Sequence, residues 1–80
     1  MGLIMNLNMV EEGIEYIISR VNVDDEELNS FLFTLGCYSG EPITVIKKRR
    51  SGAVIAVKNS RYSIDRRLAD AIEVEQADEY

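Results

Sequence analysis

The sequence has 80 residues, of which 46% are hydrophobic and 29% are charged, and its formal net charge is −5. These values indicate one small globular domain and exclude a disordered chain. The negative charge argues against a general nucleic-acid binder, because neutralising phosphates requires clustered positive charge.

The charge is distributed unevenly along the chain. Residues 1–46 contain one base, Arg20, and eight acids, whereas residues 47–80 contain eight bases and six acids. The two halves therefore carry net charges of −7 and +2. Such a separation favours an oriented encounter with a partner or docking between the two halves.

The cellular setting follows from what the chain lacks. One cysteine cannot form an internal disulfide, which favours a cytoplasmic protein. No stretch approaches the ~20 apolar residues that a membrane span requires, and MGLIM at the N-terminus is too short for a signal peptide. We therefore expect a protein that reaches a membrane only through a partner, at the inner face.

The first elements along the chain are a loose terminus, a strand and a helix. Residues 1–8 are predicted to be weakly ordered, and the alternating apolar residues of 13–21 predict a strand. The segment VDDEELNSFLFTLG predicts a helix with Asp24 as N-cap and Glu27 as its capping-box partner. One apolar stripe is expected at Leu28, Phe31, Leu32 and Leu35, and Gly36 should end the helix.

The second half predicts four further strands. EPITVIKK and AVIAVK are β-branched and flank the turn RRSG, and a turn at NS leads to a strand in RYSI. DRRLADA predicts a short helical turn capped by Asp65, IEVE a last short strand, and residues 76–80 a polar tail. About five short strands with one helix between the first two favour a small SH3-like barrel, which removes exposed sheet edges.

These residues resemble the FeoA family of small ferrous-iron transport proteins. Four features carry the resemblance: Gly13, the apolar helix that ends in LG, the strand PITVI, and the last third of the domain. In that last third, YSIDRRLADAIEV, the matching residues are Tyr62, Ile64, Ala69, Ile72 and Val74. It covers about residues 9–75. Phe31 stands where the family often has arginine, so no role of that arginine can be transferred.

The resemblance implies an SH3-like domain without catalysis or cofactor. It also implies an accessory role beside FeoB, the membrane GTPase-permease of ferrous-iron uptake. The same domain occurs appended to metal-dependent repressors, and because no DNA-binding helical region precedes it here, the free-standing form is expected. Transition-metal ion binding is a further property that the resemblance would imply.

The residues themselves offer little for catalysis or metal binding. The chain has no histidine, and a single cysteine at a helix C-terminus lacks the features that lower a thiol pKa. The acidic run DDEE is explained by helix capping and by the helix dipole. We therefore predict no catalytic residue and no metal ligand.

Two groups of residues are candidates for partner contact. Phe33 lies about 140° around the helix from Leu28, so it should point away from the apolar stripe, and Tyr38 follows the helix stop closely. The basic run Lys47, Lys48, Arg49 and Arg50 lies beside a turn and could face an acidic protein surface or anionic lipid.

Three functions remain open at this point. The first is contact with the FeoB-type permease through Phe33, Tyr38 and residues 47–50. The second is nucleic-acid binding by residues 47–50 with Tyr62 as a stacking platform, although no nucleic acid is expected. The third is a weak homo-oligomer that pairs through a strand edge or the Phe33 patch.

Overall fold

A computed structural model of the protein describes residues 5–77. In chain order the elements are β1 (Met5–Asn6), β2 (Glu15–Val21), α1 (Glu26–Leu35), β3 (Pro42–Arg49), β4 (Gly52–Val57), β5 (Ser60–Asp65), α2 (Arg66–Ala71) and β6 (Ile72–Gln76). The predicted mainly β fold, with a helix after the first long strand and a short helix before the last strand, is confirmed.

The strands form one antiparallel sheet in the order β1-β6-β2-β3-β4-β5. Helix α2 contacts β4 and β5 on one side and β1 and β6 on the other, so the two edges of the sheet curl toward each other across it. Backbone hydrogen bonds fix both junctions: Leu7 N–H donates to the Ala69 carbonyl at 3.1 Å, and Arg66 N–H donates to the Ser51 carbonyl at 3.0 Å. The result is a small SH3-like barrel that α2 closes.

The N-terminal segment is better ordered than predicted. Met5 pairs with Val74 and Asn6 pairs with Glu73, which adds the edge strand β1 to the expected five. Leu7 is buried in the core. The prediction of a weakly ordered segment is therefore wrong for residues 5–8, while residues 1–4 and 78–80 lie outside the described residues.

The core lies between the curled sheet and the two helices. Alternate residues of the central strands point inward, as the period of a strand requires. The buried apolar side chains are those of Leu7, Val10, Tyr16, Ile18, Leu32, Cys37, Ile43, Val45, Ala53, Ile55, Val57, Ile64, Leu68, Ala69, Ile72 and Val74. Each fully buried Val, Leu or Ile contributes about 1.5–3 kcal/mol of transfer free energy.

Helix α1 begins one residue later than predicted. Asp25, not Asp24, is the N-cap: its Oδ1 accepts hydrogen bonds from the backbone N–H groups of Glu27 at 2.9 Å and Leu28 at 3.4 Å. The predicted capping box of Asp24 and Glu27 is therefore wrong. Neighbouring aspartates are equally good caps by residue type, so tertiary packing decides between them.

The end of α1 agrees with the prediction. Gly36 adopts the left-handed conformation with φ of 101°. Gly36 N–H donates to the Phe33 carbonyl, and Cys37 N–H donates to the Leu32 carbonyl at 2.9 Å. This pair of bonds is a Schellman motif, which reverses the chain at a position that favours glycine.

The apolar stripe of α1 is narrower than predicted. Leu32 is buried, and Leu28 and Leu35 are half-buried against the core. Phe31, however, is 48% exposed, so its assignment to the core stripe is wrong. The helix lies at the rim of the barrel, and only its central line of side chains reaches the sheet.

Cys37 contributes to the core directly after the helix stop. Its side chain is buried, and burial raises the pKa of the thiol from 9.0 to about 11. The group is therefore protonated at neutral pH, which agrees with a packing role.

The position of the cap can be tested with two neighbouring substitutions. We expect Asp25→Ala to lower the free energy of unfolding by about 1 kcal/mol, because two backbone N–H groups lose their acceptor. Asp24→Ala is the matched control and should change the free energy of unfolding by less than about 0.5 kcal/mol. Urea unfolding followed by circular dichroism measures both, and a larger loss for Asp24→Ala would contradict this cap assignment.

The burial of Cys37 predicts slow alkylation. At pH 8.5 the native protein should react with iodoacetamide about a hundredfold more slowly than the urea-unfolded chain, because its thiolate fraction is smaller by that factor. Mass spectrometry of timed samples measures both rates, with glutathione as the control for urea. Equal rates in the two states would show that the thiol is accessible and ionised.

Candidate protein-contact site

An exposed aromatic pair lies at the C-terminal end of α1. The rings of Phe33 and Tyr38 have centroids 4.9 Å apart and planes tilted by 40°. Phe33 is 64% exposed, and Tyr38 is half-buried. The Schellman turn at Gly36 reverses the chain between the two residues, and this reversal brings the rings into contact.

Lys58 also contacts Tyr38. Its Nζ lies 5.1 Å from the centroid of the Tyr38 ring and 2.9 Å from Glu41 Oε1. The hydrogen bond to Glu41, supported by Tyr38, raises the pKa of Lys58 above its ordinary value. Lys58 therefore stays charged and acts as a cation against the tyrosine ring.

The backbone explains why Lys58 reaches this position. Lys58 and Asn59 have φ of 54° and 66°, so they form the tight turn between β4 and β5 in which Val57 pairs with Ser60. The turn predicted at Asn59 and Ser60 is thus displaced by one residue. Lys58 was missed as a site residue because the sequence reads it as the end of a strand.

Two shallow grooves adjoin the aromatic pair. One is lined by Thr34, Leu35, Gly36, Lys58 and Tyr62, and the other by Val21, Asn29, Ser30, Thr34, Cys37 and Ser39; Phe33 and Tyr38 line both. We call Phe33, Tyr38, Lys58 and Tyr62 the aromatic end of the molecule.

The basic run lies far from the aromatic end. Lys47, Lys48 and Arg49 are exposed on β3, and Arg50 is exposed in the turn before β4. Lys58 follows the opposite end of β4, so at about 3.3 Å per residue it lies roughly 13 Å along the strand from Val54, the partner of Lys47, and roughly 20 Å from Gly52 at the hairpin tip. The six predicted contact residues therefore form two separate groups and not one surface.

Tyr62 does not accompany the basic run. It pairs with the buried Ile55, packs against the core and lines a groove with Phe33. Lys47 pairs instead with Val54, the adjacent position on β4, whose side chain faces the other side of the sheet. The combination proposed for nucleic-acid binding, residues 47–50 with Tyr62, is not brought together by the fold.

The side chains that could bind a metal ion or act as a nucleophile do not cluster in the described part of the chain. Within residues 5–77, no three Cys, Asp or Glu side chains come close enough to hold a metal ion. Asp25 of the acidic run caps α1, and Cys37 is buried. None of the helices between residues 5 and 77 has the length and apolarity needed to cross a membrane.

The fold is shared with several solved structures. Iron(II) transport protein A from Clostridium thermocellum is 30% identical with a TM-score of 0.81, and the match covers 90% of this chain and 45% of that one. FeoA of Stenotrophomonas maltophilia, solved with zinc and described as a procaryotic SH3 domain protein, is 17% identical with a TM-score of 0.78, covering 89% of both chains. This chain thus spans less than half the length of the Clostridium chain.

A repressor contains the same fold. A manganese-dependent transcriptional repressor has a TM-score of 0.85 at 15% identity, and the match covers 96% of this chain and 44% of the repressor. A search of the curated proteins finds no match. The family model for the FeoA domain matches residues 5–76, nearly all of the described structure. On this match, this chain belongs to the FeoA family.

Proposed function

We propose that the protein is a non-catalytic accessory factor of ferrous-iron uptake that binds a cytoplasmic part of a FeoB-type GTPase-permease through its aromatic end. It would act in the cytoplasm, at the inner face of the membrane. The observation that carries the proposal is the exposed Phe33 ring, which is 64% accessible and packed on Tyr38.

The aromatic end has the properties of a binding anchor. Phe33 lies on a helix, and the Tyr38 ring packs against Phe33 and Lys58, so both rings have contacts that position them before a partner arrives. Preordered aromatic side chains lose little conformational entropy on binding and dominate binding energies. A large apolar ring left in water on such a small domain supports the same interpretation.

The side chains around the aromatic end indicate which chemical groups the partner surface should carry. The groove between α1 and the chain after it carries the uncharged polar side chains of Asn29, Ser30, Thr34 and Ser39. Lys58 is paired with Glu41, so it adds little free charge. The expected partner surface therefore has an apolar pocket for Phe33 and uncharged hydrogen-bonding groups around it.

The absence of catalysis is part of the proposal. Cys37 is buried with a raised thiol pKa, which keeps it from acting as a nucleophile at neutral pH. The remaining titratable side chains of residues 5–77 do not gather into a ligand set. In this proposal the permease handles the iron and the GTP, and the protein contributes a surface.

Alanine substitutions in the aromatic pair test the site. We expect Phe33→Ala and Tyr38→Ala each to weaken binding to the purified permease by at least about thirtyfold, because each removes an anchoring ring. Phe31→Ala is the matched control, since Phe31 is an exposed phenylalanine of the same helix outside the pair. Its affinity should stay within about threefold of the unsubstituted protein. Biolayer interferometry with the detergent-solubilised permease measures all three.

Two outcomes would contradict the site assignment. One is unchanged affinity for both Phe33→Ala and Tyr38→Ala, and the other is an equal loss for Phe31→Ala. Sedimentation velocity of the same samples at several concentrations separates permease binding from self-association through the Phe33 patch. A dimer that Phe33→Ala dissolves would favour the homo-oligomer instead.

A further inference from the structure

We propose that the end of the molecule opposite the aromatic end is a docking surface for anionic phospholipid headgroups. It consists of the basic run Lys47–Arg50, Arg66 at the start of α2, and the exposed Met9; we call this the basic end. The inference does not rest on the permease proposal, because it concerns other residues and another binding partner.

Three segments that are distant in sequence meet at the basic end. Arg66 N–H donates to the carbonyl of Ser51 in the β3–β4 turn, which places the start of α2 against the tip of the hairpin. Asn8 contacts both the start of α2 and the basic run. Its Nδ2 donates to the Arg66 carbonyl at 3.0 Å, and its own carbonyl accepts from Lys48 Nζ at 3.4 Å. The fold thus extends the basic run by Arg66, which the sequence places sixteen residues after Arg50.

The basic end is positive although the protein is negative. Its five bases are accompanied by three acids that already accept hydrogen bonds: Glu12 from Lys48 N–H, Asp65 from Leu68 N–H, and Asp70 from Asn6 Nδ2. The rest of residues 5–77 contains nine acids and four bases. This asymmetry would orient the molecule with its basic end toward an anionic surface.

Met9 favours a lipid surface over a nucleic acid. It is 59% exposed and follows Asn8, the residue that contacts both Lys48 and Arg66. Proteins that lie on membranes combine basic side chains with apolar ones that enter the headgroup region. Single-stranded nucleic acids are bound instead by bases and stacking aromatic rings. The aromatic candidate, Tyr62, belongs to the other end of the molecule.

The experiment is flotation of the full chain with phosphatidylcholine vesicles that contain or lack phosphatidylglycerol. We expect binding only to the anionic vesicles, and release by added salt. Arg50→Gln with Arg66→Gln should weaken this binding by about thirtyfold, at about fivefold per base near the surface. Arg20→Gln with Arg61→Gln is the matched control, because it removes the same charge elsewhere and should leave binding within about twofold.

A second pair of substitutions separates lipid from other anions. Met9→Gln should weaken vesicle binding by about tenfold, whereas Ile14→Gln, an exposed aliphatic residue of another region at 46%, should not. A single-stranded RNA oligonucleotide and inorganic phosphate are tested at the same salt concentrations, and circular dichroism checks that each variant is folded.

Several results would overturn the proposal. They are failure to bind anionic vesicles at low salt, an equal loss of binding for the two arginine pairs, and no effect of Met9→Gln. Tighter binding to RNA than to vesicles, with Met9→Gln without effect, would assign the basic end to nucleic acid. Binding of inorganic phosphate that competes fully with vesicles would assign it to a free anion.

Discussion

The fold depends on the way in which α2 joins the two edges of the sheet. A short chain cannot bury both faces of a flat six-stranded sheet, because it has too few residues to cover them. Here the sheet curls, and six residues of helix bridge β5 and β6, with Leu68 and Ala69 buried in the core. Hydrogen bonds from Leu7 to Ala69 and from Arg66 to Ser51 lock the helix to both edges. The rim position of α1 and the exposure of Phe33 follow from this closure, since the barrel is already filled.

Much of this fold was predictable because its signals are local. Gly36 ends α1 as predicted, and Asp65 caps α2 as predicted, its Oδ1 accepting from Leu68 N–H at 2.8 Å. Strand β1 was missed because its two residues pair with β6 at the other end of the chain, and no local pattern reports such a contact. Helical periodicity predicts the core position for Phe31 because it gives the direction in which a side chain points. It does not give how much of the helix circumference the sheet covers.

Only part of each candidate site was predictable from the sequence, because tertiary contacts bring several of its residues together. Spacing on the helix gave the outward direction of Phe33, and the helix stop indicated its proximity to Tyr38. Lys58 and Met9 carry no signal of their own, since their positions beside Tyr38 and Asn8 arise from turn geometry and tertiary packing. The separation of the basic run from the aromatic pair likewise follows from the length of β4, which is apparent only after the strands are paired. A surface at each end would allow a protein partner and a membrane to be engaged at the same time.

The pairing of β1 with β6 has a consequence for how this domain can be built into longer polypeptides. Because Met5 lies opposite Val74 and the two strands run antiparallel, the start of β1 and the end of β6 lie side by side at the same end of the strand pair. The domain could therefore be inserted into a surface loop of a host protein without straining either connection, because the two connection points lie close together. Circular permutation is tolerated in proteins for the same reason. Segments joined to the barrel before Met5 and after Gln76 would therefore leave it from neighbouring strands.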